Sequence, residues 1–96
     1  MFVNIIQFPP VTAGKDDQFR DWFAWSNELY TKHEGFISRR LLKPLDSGNY
    51  VGIVEHDSYE TFMAMHTSST QAEARKRVKP LLESDPTPQF FDLVVN

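Results

Sequence analysis

The two ends of this chain are strand-like and apolar on both sides, and that limits what it can fold into. "FVNIIQF" (2–8) puts Phe2, Asn4, Ile6 and Phe8 on one face and Val3 and Ile5 on the other. "QFFDLVV" (89–95) sets Phe91, Leu93 and Val95 against Phe90 and Val94. A sheet covered by helices on one side leaves its other face to water or to a partner. Contiguous exposed apolar surface of this kind marks an interface. The pattern therefore predicts a homodimer formed through the sheet face away from the helices.

Between the ends the periodicity changes in a fixed order. The first strand stops at Pro9 and Pro10, which cannot continue a central ladder. From about Lys15 to Lys32 the spacing turns helical, with Phe19, Trp22, Phe23, Ser26, Leu29 and Tyr30 on one stripe. Gly35 breaks that helix. "FISRRLLK" (36–43) and "NYVGIVEH" (49–56) read as strands joined by the turn formers of "PLDSG". Asp57 can cap a second helix with Glu60 as its capping-box partner, and Thr70 and Glu73 repeat the signature before a third. Pro80 ends that helix near Lys79. The order is β-α-β-β-α-β with the second helical region split. It predicts an α+β, ferredoxin-like sandwich with an antiparallel sheet, a single domain over residues 1–96.

Charge and composition exclude several functions. The formal net charge of −3 lacks the basic excess of a nucleic-acid or anionic-membrane surface. "RRLLK" and "ARKRVK" read as solvated faces of a strand and a helix. An RNA-recognition module shares the element order, but "NYVGIVEH" lacks its basic-Gly-aromatic signature. No apolar run approaches a membrane span, and the N-terminus has no signal-peptide pattern, so the expected location is cytoplasmic. With no cysteine there is no thiolate chemistry. Three histidines and no cysteine point to no dedicated metal site.

The candidate site residues sit on the helix and strand faces turned inward. Tyr59, Phe62, Met63 and His66 follow i, i+3, i+4, i+7, so His66 shares the buried stripe, as a pocket base or as a carbonyl-bonding residue of the last turn. Ala74, Arg75, Val78 and Leu82 form the inward stripe of the third helix. There Arg75 either snorkels to water or aims a cation between helices and sheet. Asn4 is a polar amide among apolar neighbours and needs a partner, either backbone or ligand. His56 shares a face with Tyr50, Gly52 and Val54 at a strand end, half exposed or in a site. Trp22 suits either the core or a pocket wall.

"HEGFISRRLLK", "YVGIVEHDSYETFMAMHTS", "PLLE" and the closing apolar strand resemble the antibiotic biosynthesis monooxygenase family. Most specific are Gly35 and Phe36 opening the second strand and the spacing of Ser58, Phe62, His66 and Ser68. The resemblance implies a dimeric α+β barrel and, as one branch, cofactor-independent oxidation of a phenolic, quinol or polycyclic aromatic molecule. In that reading His66 or His56 is the base, Arg75 and Asn4 steady the oxyanion, and Trp22, Tyr50, Phe62 and Met63 wall the pocket. The heme-degrading branch has an asparagine, a tryptophan and a ligating histidine where this chain has Asn4, His56 and Arg75. Two of those three depart, so the resemblance implies no cofactor. A dimeric protein of the same fold that only binds a small apolar ligand is the alternative.

Overall fold

The computed structural model describes residues 1–96. The chain runs β1 (Phe2–Gln7), α1 (Asp16–Tyr30), β2 (Phe36–Leu42), β3 (Val51–His56), α2 (Tyr59–His66), α3 (Ser69–Val78), a 3-10 turn (Lys79–Leu81) and β4 (Thr87–Asp92). The strands form one antiparallel sheet in the order β2-β3-β1-β4. This is the expected α+β, ferredoxin-like sandwich, with the three helices on one face.

Local chemistry explains most boundaries. Asp16 and Asp17 lie in the first turn of α1, where carboxylates are favoured by the helix dipole. The caps of the next two helices differ from the sequence expectation. Ser58, not Asp57, caps α2, and its box partner is Thr61, not Glu60. Thr61 N–H donates to Ser58 Oγ at 3.1 Å, and Ser58 N–H donates to Thr61 Oγ1 at 3.3 Å. Ser68, not Thr70, caps α3: its Oγ accepts from Gln71 N–H and donates to the Met65 carbonyl at the end of α2. One hydroxyl thus closes one helix and opens the next, which fixes the split. Gly35 has φ +80°, and a Cβ there would lie 2.4 Å from Thr61 Oγ1, so both backbone and packing demand glycine. The last strand begins two residues earlier than expected. Pro88 is tolerated within it because β4 is an edge strand.

The inner face of the sheet carries Phe2, Asn4, Ile6, Phe8, Val54 and His56, all turned toward the helices. The core has two apolar clusters, one around Phe2, Tyr30, Val54, Phe62, Met65 and Ala74, the other around Phe8, Phe19, Phe23, Tyr50, Val78 and Leu82. Ile6 and Trp22 pack against both and mark the seam between them. The opposite face carries Val3, Ile5, Val51, Ile53 and Phe91, none of them buried. No helix is long and apolar enough to cross a membrane.

Candidate active site

A cavity of about 430 Å³ opens along the seam, within the range of small-molecule sites. Its floor is the inner face of the sheet: Asn4, Ile6, Val54 and Arg39. Its roof comes from Trp22 and Tyr30 of α1, Phe62, Met65 and His66 of α2, and Gln71, Arg75 and Val78 of α3. Lys79, Glu83, Asp85 and Pro86 stand at the rim, on the segment that leads into β4.

Five residues singled out from the sequence meet here: Asn4, Trp22, Phe62, His66 and Arg75. His66 is half-buried, and its ring stacks on Phe62 with centroids 5.3 Å apart and planes 19° from parallel. Burial, and secondarily the charge of Arg75, lowers its pKa below the usual histidine value, so the imidazole is neutral at pH 7. Neither ring nitrogen is engaged by another side chain, so whichever one lacks the proton is free to take one. Trp22 is locked in orientation by an Nε1–H hydrogen bond to the Ala74 carbonyl at 2.9 Å. Asn4 is 3% exposed, and its Oδ1 is a buried acceptor without any partner in the chain. Arg75 is exposed and reaches the cavity only from its edge.

The other three lie elsewhere. His56 is fully buried instead of half exposed. It sits beneath the cavity lining, edge-on to Phe36 and Phe62. Its Nε2 lies 3.3 Å from Met65 Sδ and its Nδ1 3.0 Å from Thr61 Oγ1. Both ring nitrogens thus have a partner within the chain, and the ring is held in place from α2. Burial, its largest influence, lowers the His56 pKa. Tyr50 belongs to the far cluster, where its hydroxyl donates to Asp16 Oδ1 at 2.6 Å and accepts from Arg20 Nε at 2.8 Å. Met63 packs against the core from outside the cavity, and Met65 takes the inward position instead. Both are apolar, so periodicity over so short a helix could not choose between them.

The largest correction concerns Arg39, read from the sequence as part of a solvated strand face. Its neighbour Arg40 does face water, paired with Glu55 at 3.1 Å. Arg39 points inward and is buried. Its Nη1 donates to Asn27 Oδ1 at 2.7 Å, Ser26 Oγ at 2.8 Å and the Phe23 carbonyl at 3.3 Å. Its guanidinium carbon stands 3.9 Å from the Phe23 ring centroid, 4.7 Å from Tyr30 and 5.3 Å from Trp22. Desolvation draws its pKa down to about 10, which leaves it charged at neutral pH. The available signal was parity with Leu41 opposite a small polar Ser26. An irregularity between Phe36 and Ser38 obscured which parity faces in.

Neither a protein-family model nor a curated relative matches the sequence. Solved structures do. A protein of Nitrosomonas europaea assigned to the antibiotic biosynthesis monooxygenases superimposes with a TM-score of 0.85 at 14% identity, over 99% of this chain and 100% of that one. The chain has the antibiotic biosynthesis monooxygenase fold. SnoaB, a cofactor-independent oxygenase of Streptomyces nogalater, shares this fold with a TM-score of 0.78 at 21% identity, over 99% of this chain and 92% of that one. So does a protein of unknown function from Nitrosomonas europaea, with a TM-score of 0.81 at 17% identity, over 99% and 90% of the two chains. Identities this low speak for the fold alone, and the chemistry must be argued from the cavity.

Proposed function

We propose that the protein is a cofactor-independent monooxygenase of a small phenolic or polycyclic aromatic molecule. The observation that carries this reading is His66: a neutral, unengaged imidazole facing an open-mouthed cavity whose interior is walled by the aromatic rings of Trp22, Tyr30 and Phe62. An electron-rich aromatic fits that wall. SnoaB, a cofactor-independent oxygenase, has the same fold, which makes this reaction class the one to test first.

The chemistry asks little of the protein beyond positioning. His66 takes a proton from an acidified CH2 of the substrate. The resulting carbanion reduces dioxygen and forms a C–O bond, and the returned proton gives a hydroperoxide. Loss of the second C–H proton then expels hydroxide from the O–O bond. The CH2 becomes C=O, one oxygen atom enters the product and the other leaves as water. Arg75 at the cavity edge and the Asn4 amide steady developing negative charge, and the aromatic lining keeps bulk water away. Tyr50, Met63 and His56 act only through packing. No cofactor enters the scheme.

The working unit in this proposal is a homodimer. Phe91 and Leu93 are 40% exposed and Ile37 46% exposed, beside half-covered Val3, Ile5 and Ile53 on the same outer face. A second copy laid face to face would cover them.

Oxygen uptake in a closed cell with 1,8-dihydroxyanthrone tests the function. The protein should accelerate uptake well beyond the spontaneous rate, and His66→Ala should remove most of that acceleration. Equal uptake with and without protein would favour a binding protein of the same fold.

A further inference from the structure

The sheet register aligns two unusual polar groups. Arg39 pairs with Val54, and Val54 pairs with Asn4, so the three lie in one row across β2, β3 and β1 on the inner face. Adjacent strands are about 4.8 Å apart, which puts the backbones of Arg39 and Asn4 roughly 10 Å from each other with an apolar floor between. Each end of this row has unmet valence. Arg39 spends only Nη1 on the protein, leaving Nε and Nη2 without an acceptor. None of the three ion pairs in the chain involves Arg39. Asn4 Oδ1 is a buried acceptor with no donor. A buried cation held only by dipoles and ring faces costs stability unless something anionic joins it. The lining as a whole has the same sign: Arg39, Arg75 and Lys79 against Glu83 and Asp85.

We propose that Arg39 and Asn4 make the cavity a receptor for an aromatic anion, whose charged oxygen takes the free Nε/Nη2 edge of Arg39 and whose hydroxyl donates to Asn4 Oδ1. The row suits a ligand with its anionic oxygen at one end and its hydroxyl at the other. Two fused rings reach across Val54 between them, stacked under Trp22. Arg39 is a binding residue here, and it selects charge. The inference rests on the proposed function only in taking this cavity as the ligand site; it does not need turnover.

Isothermal titration under argon with three probes of similar size decides it: 6-hydroxy-2-naphthoate, 2-naphthoate and neutral 2-naphthalenemethanol. The two anions should bind at least tenfold more tightly than the neutral alcohol, and the hydroxylated anion more tightly than the plain one. Arg39→Met should fold, since an apolar side chain of similar length relieves a buried charge. It should bind all three probes within about threefold of one another. Arg75→Met should keep the anion preference. Asn4→Leu should erase only the advantage of the hydroxyl. No binding of either anion, equal binding of anion and alcohol by the native protein, or a preference that disappears with Arg75 instead of Arg39 overturns the inference. If Arg39→Met does not fold, Arg39→Lys replaces it. Its point charge without the fork should weaken both anions at least threefold and leave the alcohol unchanged, and unchanged anion affinity overturns the inference. None of the probes carries an acidified ring CH2. Anion selectivity without oxygen uptake would therefore sink the oxygenase reading alone, and uptake without selectivity would sink this one alone.

Discussion

Ser26 Oγ accepts a hydrogen bond from Arg39 Nη1 at 2.8 Å while donating to the Phe23 carbonyl at 3.0 Å, in a position with no solvent exposure. A polar residue in the middle of the apolar stripe of α1 is thus the seat of a buried guanidinium. Ser26→Ala removes one charged hydrogen bond and should cost about 1.5–3 kcal/mol in urea unfolding. Ser26→Leu should cost more, because the larger side chain competes with Arg39 for the same space. A Leu variant as stable as the native protein would contradict this placement.

Gly35 should tolerate no side chain. A left-handed backbone costs an L-residue roughly 1–2 kcal/mol. The clash of a Cβ with Thr61, 2.4 Å away, adds about 1–3 kcal/mol. Gly35→Ala should therefore lower unfolding free energy by about 2–5 kcal/mol. A second change, Thr61→Gly, should recover part of the clash but lose the Ser58 N–H to Thr61 Oγ1 half of the α2 capping box. A loss under about 1 kcal/mol for Gly35→Ala alone would show that this turn relaxes.

Stability should fall on mild acidification. Burial lowers the pKa of both His56 and His66 below the unfolded value of about 6.5. Above that value both states are neutral and the full stability is present. As pH drops through it, the unfolded chain takes up protons that the folded one refuses, and stability declines until the folded values are reached. The urea midpoint should be lower at pH 5.5 than at pH 7.5, and His56→Gln should reduce the difference. A midpoint that rises on acidification would mean that these rings gain rather than lose by protonation.

Much of this was legible in the sequence. The order of periodicities points to the fold because the strands and α1 are long enough to show one period clearly, although α2, at eight residues, is too short to fix which of its methionines turns inward. Apolar residues on both faces of "FVNIIQF" revealed an unpartnered sheet face because alternation cannot hide in a strand. That Asn4, Phe62 and His66 turn inward to the cavity is legible because each breaks or extends a readable stripe. Arg39 was missed because a charged residue is placed by default in water, and its burial depends on a small Ser26 contributed by a different helix. His56 was expected at a half-open strand end, but Thr61 and Met65 fold over it from α2. Cap positions slipped by one or two residues because Asp57, Ser58, Ser68 and Thr70 all carry acceptors, and only geometry selects among them.

The outer sheet face should hold two copies together. Phe91 pairs with Val3 in the register, and both side chains point away from the helices. Phe91→Arg should shift the protein toward monomer in sedimentation velocity at micromolar concentration, with the helical content unchanged. A native protein that sediments as a monomer would leave this face without an explanation.

The most direct test of the account is the fate of labelled oxygen. Protein stripped of metal by chelation is given 1,8-dihydroxyanthrone under ¹⁸O₂, and the product is analysed by mass spectrometry beside the uptake trace. The account expects one O₂ consumed per substrate and one ¹⁸O atom in the new carbonyl. It also expects a rate that falls in acid with a midpoint below about pH 6.5, as the His66 imidazole becomes protonated. A rate no greater than the spontaneous one, or one restored only by added metal, would contradict it.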